Sequence, residues 1–127
     1  MTTREPITTH DAPQAVGPYS QAIRAGGFVF TAGQIGTDPA SGDLAAPDVA
    51  GQAEQALANL AAVLAAAGSG LDRIVKTTMF LVDIADWPRV NEVYARVVPE
   101  PFPARSAFAV RELPKGALVE IEAVAVA

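Results

Sequence analysis

The chain has 127 residues, 50% of them hydrophobic and only 18% charged, with a formal net charge of −5 and a pI near 4.7. That length is one domain around one core, taken as residues 1–127 with 1–16 as an N-terminal arm, and the acidic balance argues against a phosphate-tracking nucleic-acid binder. The absence of cysteine excludes disulfides and thiolate chemistry, and the single histidine, His10, leaves no zinc-ligand cluster.

MTTREPITTH lacks the apolar stretch of a signal peptide, and the alanine-rich segment 56–69 is too short to span a bilayer, so a cytoplasmic protein is expected. The first 16 residues are polar and proline-bearing. Strand-like text follows over 19–24 and 28–32, and Ala25-Gly26-Gly27 between them supplies the residues a tight hairpin wants. TAGQIGTDPASGDL then has the Gly, Pro, Asp and Ser density of a loop.

Residues 49–67 carry a helical stripe of Val49, Ala53, Ala56, Leu57, Leu60, Val63, Leu64 and Ala67. Gln52, Glu54, Gln55 and Asn59 fall largely off it. Asp48 suits the helix start and Gly68 its end. RIVKTTMFLV at 73–82 reads as a central strand. A second helix begins near Pro88, with Asp86 as one candidate cap, and presents Trp87, Val90, Asn91, Tyr94 and Val98 on one side. Asn91, an amide on an apolar stripe, needs a hydrogen-bond partner. Strands at 105–110 and 117–126, joined by a turn around 113–116, close the chain. The order β-β-α-β-α-β-β predicts an α+β mixed sheet with both helices on one face. Sparse charge, over the roughly 6,000 Å² surface of a monomer this size, points to apolar surface buried between copies.

Strand parity places Arg105, Ala107 and Ala109 on one face and Ser106, Phe108 and Val110 on the other. In the last strand Val119, Ile121, Ala123 and Ala125 share a face opposite Glu120, Glu122, Val124 and Val126. A guanidinium beside small residues is a receptor for a carboxylate. The alternative is an internal or intersubunit ion pair with Glu120 or Glu122. Glu120 on a half-apolar face reads as a general base or water-positioning group, or else as a salt-bridged carboxylate. Tyr19 offers a phenol from a turn or packs as rim, and Gly33 lets a backbone N–H approach a ligand closely. The residues alone support a small-carboxylate site of open chemistry.

GPYSQAI at 17–23, TAGQIG at 31–36, VKTTMFLVD at 75–83, VNEVY at 90–94, FPARSAF at 102–108 and VEIEAVAVA at 119–127 occur in one order. Together they resemble the reactive intermediate deaminase (Rid, YjgF-type) family of enamine/imine hydrolases, over nearly the whole chain. The resemblance implies a chorismate-mutase-like subunit of a homotrimer with intersubunit clefts. It also implies hydrolysis of 2-enamines and 2-imines of the 2-aminoacrylate type to 2-keto acids and ammonia, with no cofactor and no metal. Carried over by residue, it makes Arg105 the clamp on the substrate carboxylate and Glu120 the residue that positions or activates water. Tyr19 becomes the cleft hydroxyl, while Gly33, Ala107, Asn91 and Ala32 line the ligand. Ala32 and Ala107 depart from the serine and cysteine of the best-known members, which removes a hydroxyl contact to substrate or water at one and a regulatory or packing thiol at the other, while Ala107 keeps its backbone contacts. A non-catalytic trimer that binds or senses 2-keto acids is the alternative reading, and RNA cleavage a third that the acidic charge opposes.

Overall fold

The computed structural model describes residues 3–127; Met1 and Thr2 lie outside the described residues. Among the described residues seven strands and two α-helices follow in order: β1 (Glu5–Ile7), β2 (Ala22–Ala25), β3 (Phe28–Thr31), β4 (Gln34–Ile35), α1 (Val49–Ala66), β5 (Ile74–Leu81), α2 (Trp87–Val97), β6 (Ala104–Ala109) and β7 (Val119–Val126). The α+β class and the helix–strand alternation are as expected. Two short strands, β1 and β4, are additional. Three residues of arm and two of loop carry too little alternation to register as strands, and they pair only because longer neighbours present free edges.

The sheet runs β1-β2-β3-β7-β5-β6, with β4 pairing separately to β7. The β5–β6 pair is parallel, joined through α2, and the other pairs are antiparallel, which makes the sheet mixed. Gly26 and Gly27 take φ of 58° and 83°, the two positive values that a two-residue hairpin turn matching the strand twist demands. β2 begins only at Ala22. Tyr19, expected in that strand, sits in the preceding turn, where its backbone N–H donates to the Gly17 carbonyl at 2.9 Å.

Asp48 starts α1 by accepting from the Gly51 N–H at 3.2 Å. Asp86 does not cap α2. It already has helical dihedrals as the last residue of a 3-10 turn (Ile84–Asp86), and Asp83 caps that turn instead by accepting from the Ala85 N–H at 3.0 Å. Gln52 and Asn59, placed off the apolar stripe by sequence, are buried in the fold. The loop after β4 folds over that flank of α1, and its polar backbone needs partners there. Asn59 donates to the Ile35 and Thr37 carbonyls at 3.2 and 2.9 Å; Gln52 donates to the Ala46 carbonyl and accepts from the Leu118 N–H.

Both helices cover one face of the sheet. Val119, Ile121, Ala123 and Ala125 of β7 meet Leu57, Leu60, Val63 and Leu64 of α1 in the core, joined by Met79 and Leu81 of β5. Among the described residues no helix covers the other face, which presents Phe28, Phe30, Phe80, Phe108, Val126 and the two carboxylates Glu120 and Glu122. Phe30 and Phe108 are 47% and 52% exposed. Among the described residues no helix is long and apolar enough to cross a membrane, and no group of three His, Cys, Asp or Glu is placed to hold a metal ion.

Candidate functional site

Register decides how the candidate residues are distributed. Arg105 is the parallel partner of Thr77, which is fully buried beneath the helices, so Arg105 points to the helix-covered side at the edge strand. Glu120 is the partner of Phe80 and Glu122 that of Thr78, both on the uncovered side. Arg105 and Glu120 therefore leave opposite faces of one sheet. An ion pair between Arg105 and either carboxylate within one chain is ruled out. Among the described residues ion pairs join only Arg24 to Glu5 and Arg96 to Glu54.

Around Arg105 lies a cavity of about 370 Å³ lined by Asn91, Tyr94, Ala95, Phe102, Pro103 and the guanidinium itself. The guanidinium carbon stands 4.9 Å from the ring centroid of Trp87 and 4.9 Å from that of Tyr94. The Tyr94 hydroxyl shares a 2.8 Å hydrogen bond with Thr77 Oγ1. Burial pushes the Tyr94 phenol above its ordinary pKa, partly offset by the Thr77 bond and the Arg105 charge, so the ring stays neutral. Asn91 Oδ1 is buried and meets no donor among the described residues. An orphaned acceptor of this kind costs about 1–3 kcal/mol and suits an incoming N–H group.

Glu120 lines a second cavity, about 660 Å³, enclosed by the arm, the segment around β4 and the turn after β6. Tyr19, Ala32 and Gly33 line it with Glu120, as do Gln14 and Lys115. The Tyr19 hydroxyl accepts from the Val16 N–H at 3.3 Å, and the ring is 52% exposed. Burial pushes the Glu120 carboxyl above its ordinary pKa, and the neighbouring Glu122 charge adds to the rise. Gly33 is a close approach: a Cβ there would lie 2.1 Å from Glu120 Oε2. The walls are tied by buried amides. Gln21 accepts from the Thr9 N–H at 2.7 Å and donates to the Pro13 carbonyl at 2.7 Å, which seats the arm. Asn59 holds the backbone of β4 and its loop as described above. Lys115, with a left-handed φ of 59°, donates to the Gly42 carbonyl across the cavity mouth.

The fold thus gathers Tyr19, Ala32, Gly33 and Glu120 around one cavity, and Arg105 with Asn91 around another. Ala107 shares the Arg105 face but lines neither cavity; it packs against the core beside its partner Met79. His10 is exposed and pairs with Gln14. Sequence reasoning missed the aromatic surroundings of Arg105. Trp87 and Tyr94 read as ordinary stripe residues. The available signal was topological: they stand seven residues apart on the helix that crosses from β5 to the strand bearing Arg105.

The family model described as endoribonuclease L-PSP matches residues 9–127. The chain is 52% identical over 120 residues to the RutC family protein y4sK of Sinorhizobium fredii, covering 94% of this chain and 95% of that protein. It is 49% identical over 123 residues to the human 2-iminobutanoate/2-iminopropanoate deaminase, covering 97% and 90%. The crystal structure of RidA from the Antarctic bacterium Psychrobacter sp. PAMC 21119 superposes with a TM-score of 0.94 at 43% identity, over 98% of this chain and all of that one.

Proposed function

This chain belongs to the endoribonuclease L-PSP family that includes the RutC and Rid proteins, and on that premise we propose that it hydrolyses 2-imino acids, and their 2-enamine tautomers, to 2-keto acids and ammonia. The observation that carries this reading is the division of the candidate residues into complementary halves. One face offers a guanidinium with no carboxylate partner among the described residues, and the other a half-buried carboxylate beside a roomy cavity. A substrate needs both, so the site is completed by a second copy, with Arg105 of one subunit facing Glu120 of its neighbour. The uncovered apolar sheet face supports such an assembly, and a homotrimer closes three equivalent clefts.

In that cleft the Arg105 fork holds the substrate carboxylate and fixes the imine carbon. Glu120, ionised, takes a proton from water as the water oxygen bonds to that carbon, and returns the proton to nitrogen. The carbinolamine then collapses: the C–N bond breaks, the hydroxyl proton passes through Glu120 to nitrogen, and ammonia leaves a keto acid. Orientation and fixed charge supply the acceleration. No cofactor and no metal enters this scheme, and Tyr19 and Asn91 contribute polar contacts at the rim. The net charge of −5, and the position of His10 outside both cavities, weigh against RNA cleavage.

The experiment is keto-acid release from imines generated freshly by an amino-acid oxidase. Wild-type protein is expected to accelerate release over buffer, and Arg105→Ala to lose the acceleration. A folded oligomer no faster than buffer overturns the proposal. Keto-acid binding without turnover would make the protein a sensor instead.

A further inference from the structure

We propose that Trp87 and Tyr94 are positioning residues that hold the Arg105 guanidinium between two aromatic faces, leaving its in-plane N–H groups free for the substrate carboxylate. This rests on the reading of Arg105 as the substrate clamp. A partly buried cation needs compensation, and most proteins supply it with a carboxylate. A carboxylate would occupy the same N–H fork that a substrate must use. Ring faces act differently. They attract the charge through their quadrupoles, against the flat and weakly hydrated faces of the guanidinium, and use none of its donors.

The geometry fits this division of labour. Both ring centroids stand 4.9 Å from the guanidinium carbon, within the range over which a cation and a ring attract. Both rings come from α2, so one rigid element sets the pair. Tyr94 is locked from behind by the 2.8 Å bond to Thr77, which is fully buried and is the β5 partner of Arg105 itself. Strand, helix and guanidinium therefore form a closed loop of contacts. Asn91, Ala95, Phe102 and Pro103 line the same cavity that Arg105 and Tyr94 enter.

The test is binding of 2-ketobutyrate, a product-type carboxylate, followed by calorimetry, together with imine hydrolysis. Trp87→Leu and Tyr94→Leu are each expected to weaken binding and raise KM about five- to tenfold with kcat little changed, the pattern of lost uniform binding. Tyr94→Phe, which restores the ring without the hydroxyl, is expected to recover most of that loss. Trp87 is the sole tryptophan, so its fluorescence should change as 2-ketobutyrate saturates the wild type. If the leucine variants fold and bind as the wild type does, the aromatic cradle is wrong and the clamp stands. If the wild type neither binds 2-ketobutyrate nor hydrolyses imines, clamp and cradle fall together. A measurement that needs no variant is the proton spectrum of Arg105: its side-chain signals should be displaced upfield by the two ring currents, and ordinary shifts overturn the proposal even if the leucine variants fail to fold.

Discussion

Replacing Gly33 by alanine separates what the site needs from what the fold needs. An added Cβ would lie 2.1 Å from Glu120 Oε2, 2.8 Å from its Cδ and 3.0 Å from its Cγ. To recover even a 3.0 Å contact the carboxylate oxygen must retreat by about 0.9 Å. That oxygen is the far end of a flexible side chain beside a cavity of about 660 Å³, so the retreat is cheap. The expected stability loss is about 1 kcal/mol or less, the low end for an inserted methyl group. Catalysis has no such tolerance, because a misplacement near 1 Å at a reacting group costs about 100-fold. Gly33→Ala should therefore melt close to the wild type, keep its oligomeric state, and lose about two orders of magnitude in the rate of keto-acid release. Activity within twofold of wild type in a folded Gly33→Ala protein would refute either the placement of Glu120 or its part in the chemistry.

Glu120→Gln should abolish most hydrolysis while raising the melting temperature slightly. The folded protein holds this carboxyl above its unfolded pKa, so the group binds protons more readily when folded and its contribution to stability falls as pH rises through that raised value. Scanning calorimetry at pH 7 showing a lower melting temperature would contradict this. The acid limb of the rate profile should follow the same group, and Glu122→Gln, by removing a neighbouring negative charge, should move that limb to lower pH; an unmoved limb would mean another residue sets it. Asn59→Ala strips the partners from the Ile35 and Thr37 carbonyls and should cost about 2–3 kcal/mol in urea unfolding. Phe108→Asp places a charge on the uncovered sheet face and should dissociate the proposed assembly by size-exclusion chromatography, with loss of activity although Arg105 and Glu120 are intact; a fully active monomer would disprove the proposed shared cleft.

Much of the architecture was legible in the order of residues because it depends on local periodicity. The stripe on α1, the alternation of β7 and the glycine pair at the first hairpin are each read within a short window. The family motifs likewise lie in contiguous segments. Gln52 and Asn59 escaped, since an amide beside an apolar stripe reads as solvated until a loop closes over it. β4 escaped for a related reason, being two residues recruited by an available edge of β7.

The sequence by itself determined the α+β class and the two helices on one face, and it offered Arg105 and Glu120 as candidate groups, because periodicity and strand parity travel with residue identity. It could not say on which side of the sheet each group would stand relative to the others. Parity gives the face of a side chain within its own strand, and only register between strands relates one face to another. The parallel pairing of Arg105 with Thr77 and the antiparallel pairing of Glu120 with Phe80 settled that relation. The tertiary structure thus decided that Arg105 and Glu120 point away from each other in one chain, and that among the described residues two aromatic rings, rather than an acid, keep the arginine company.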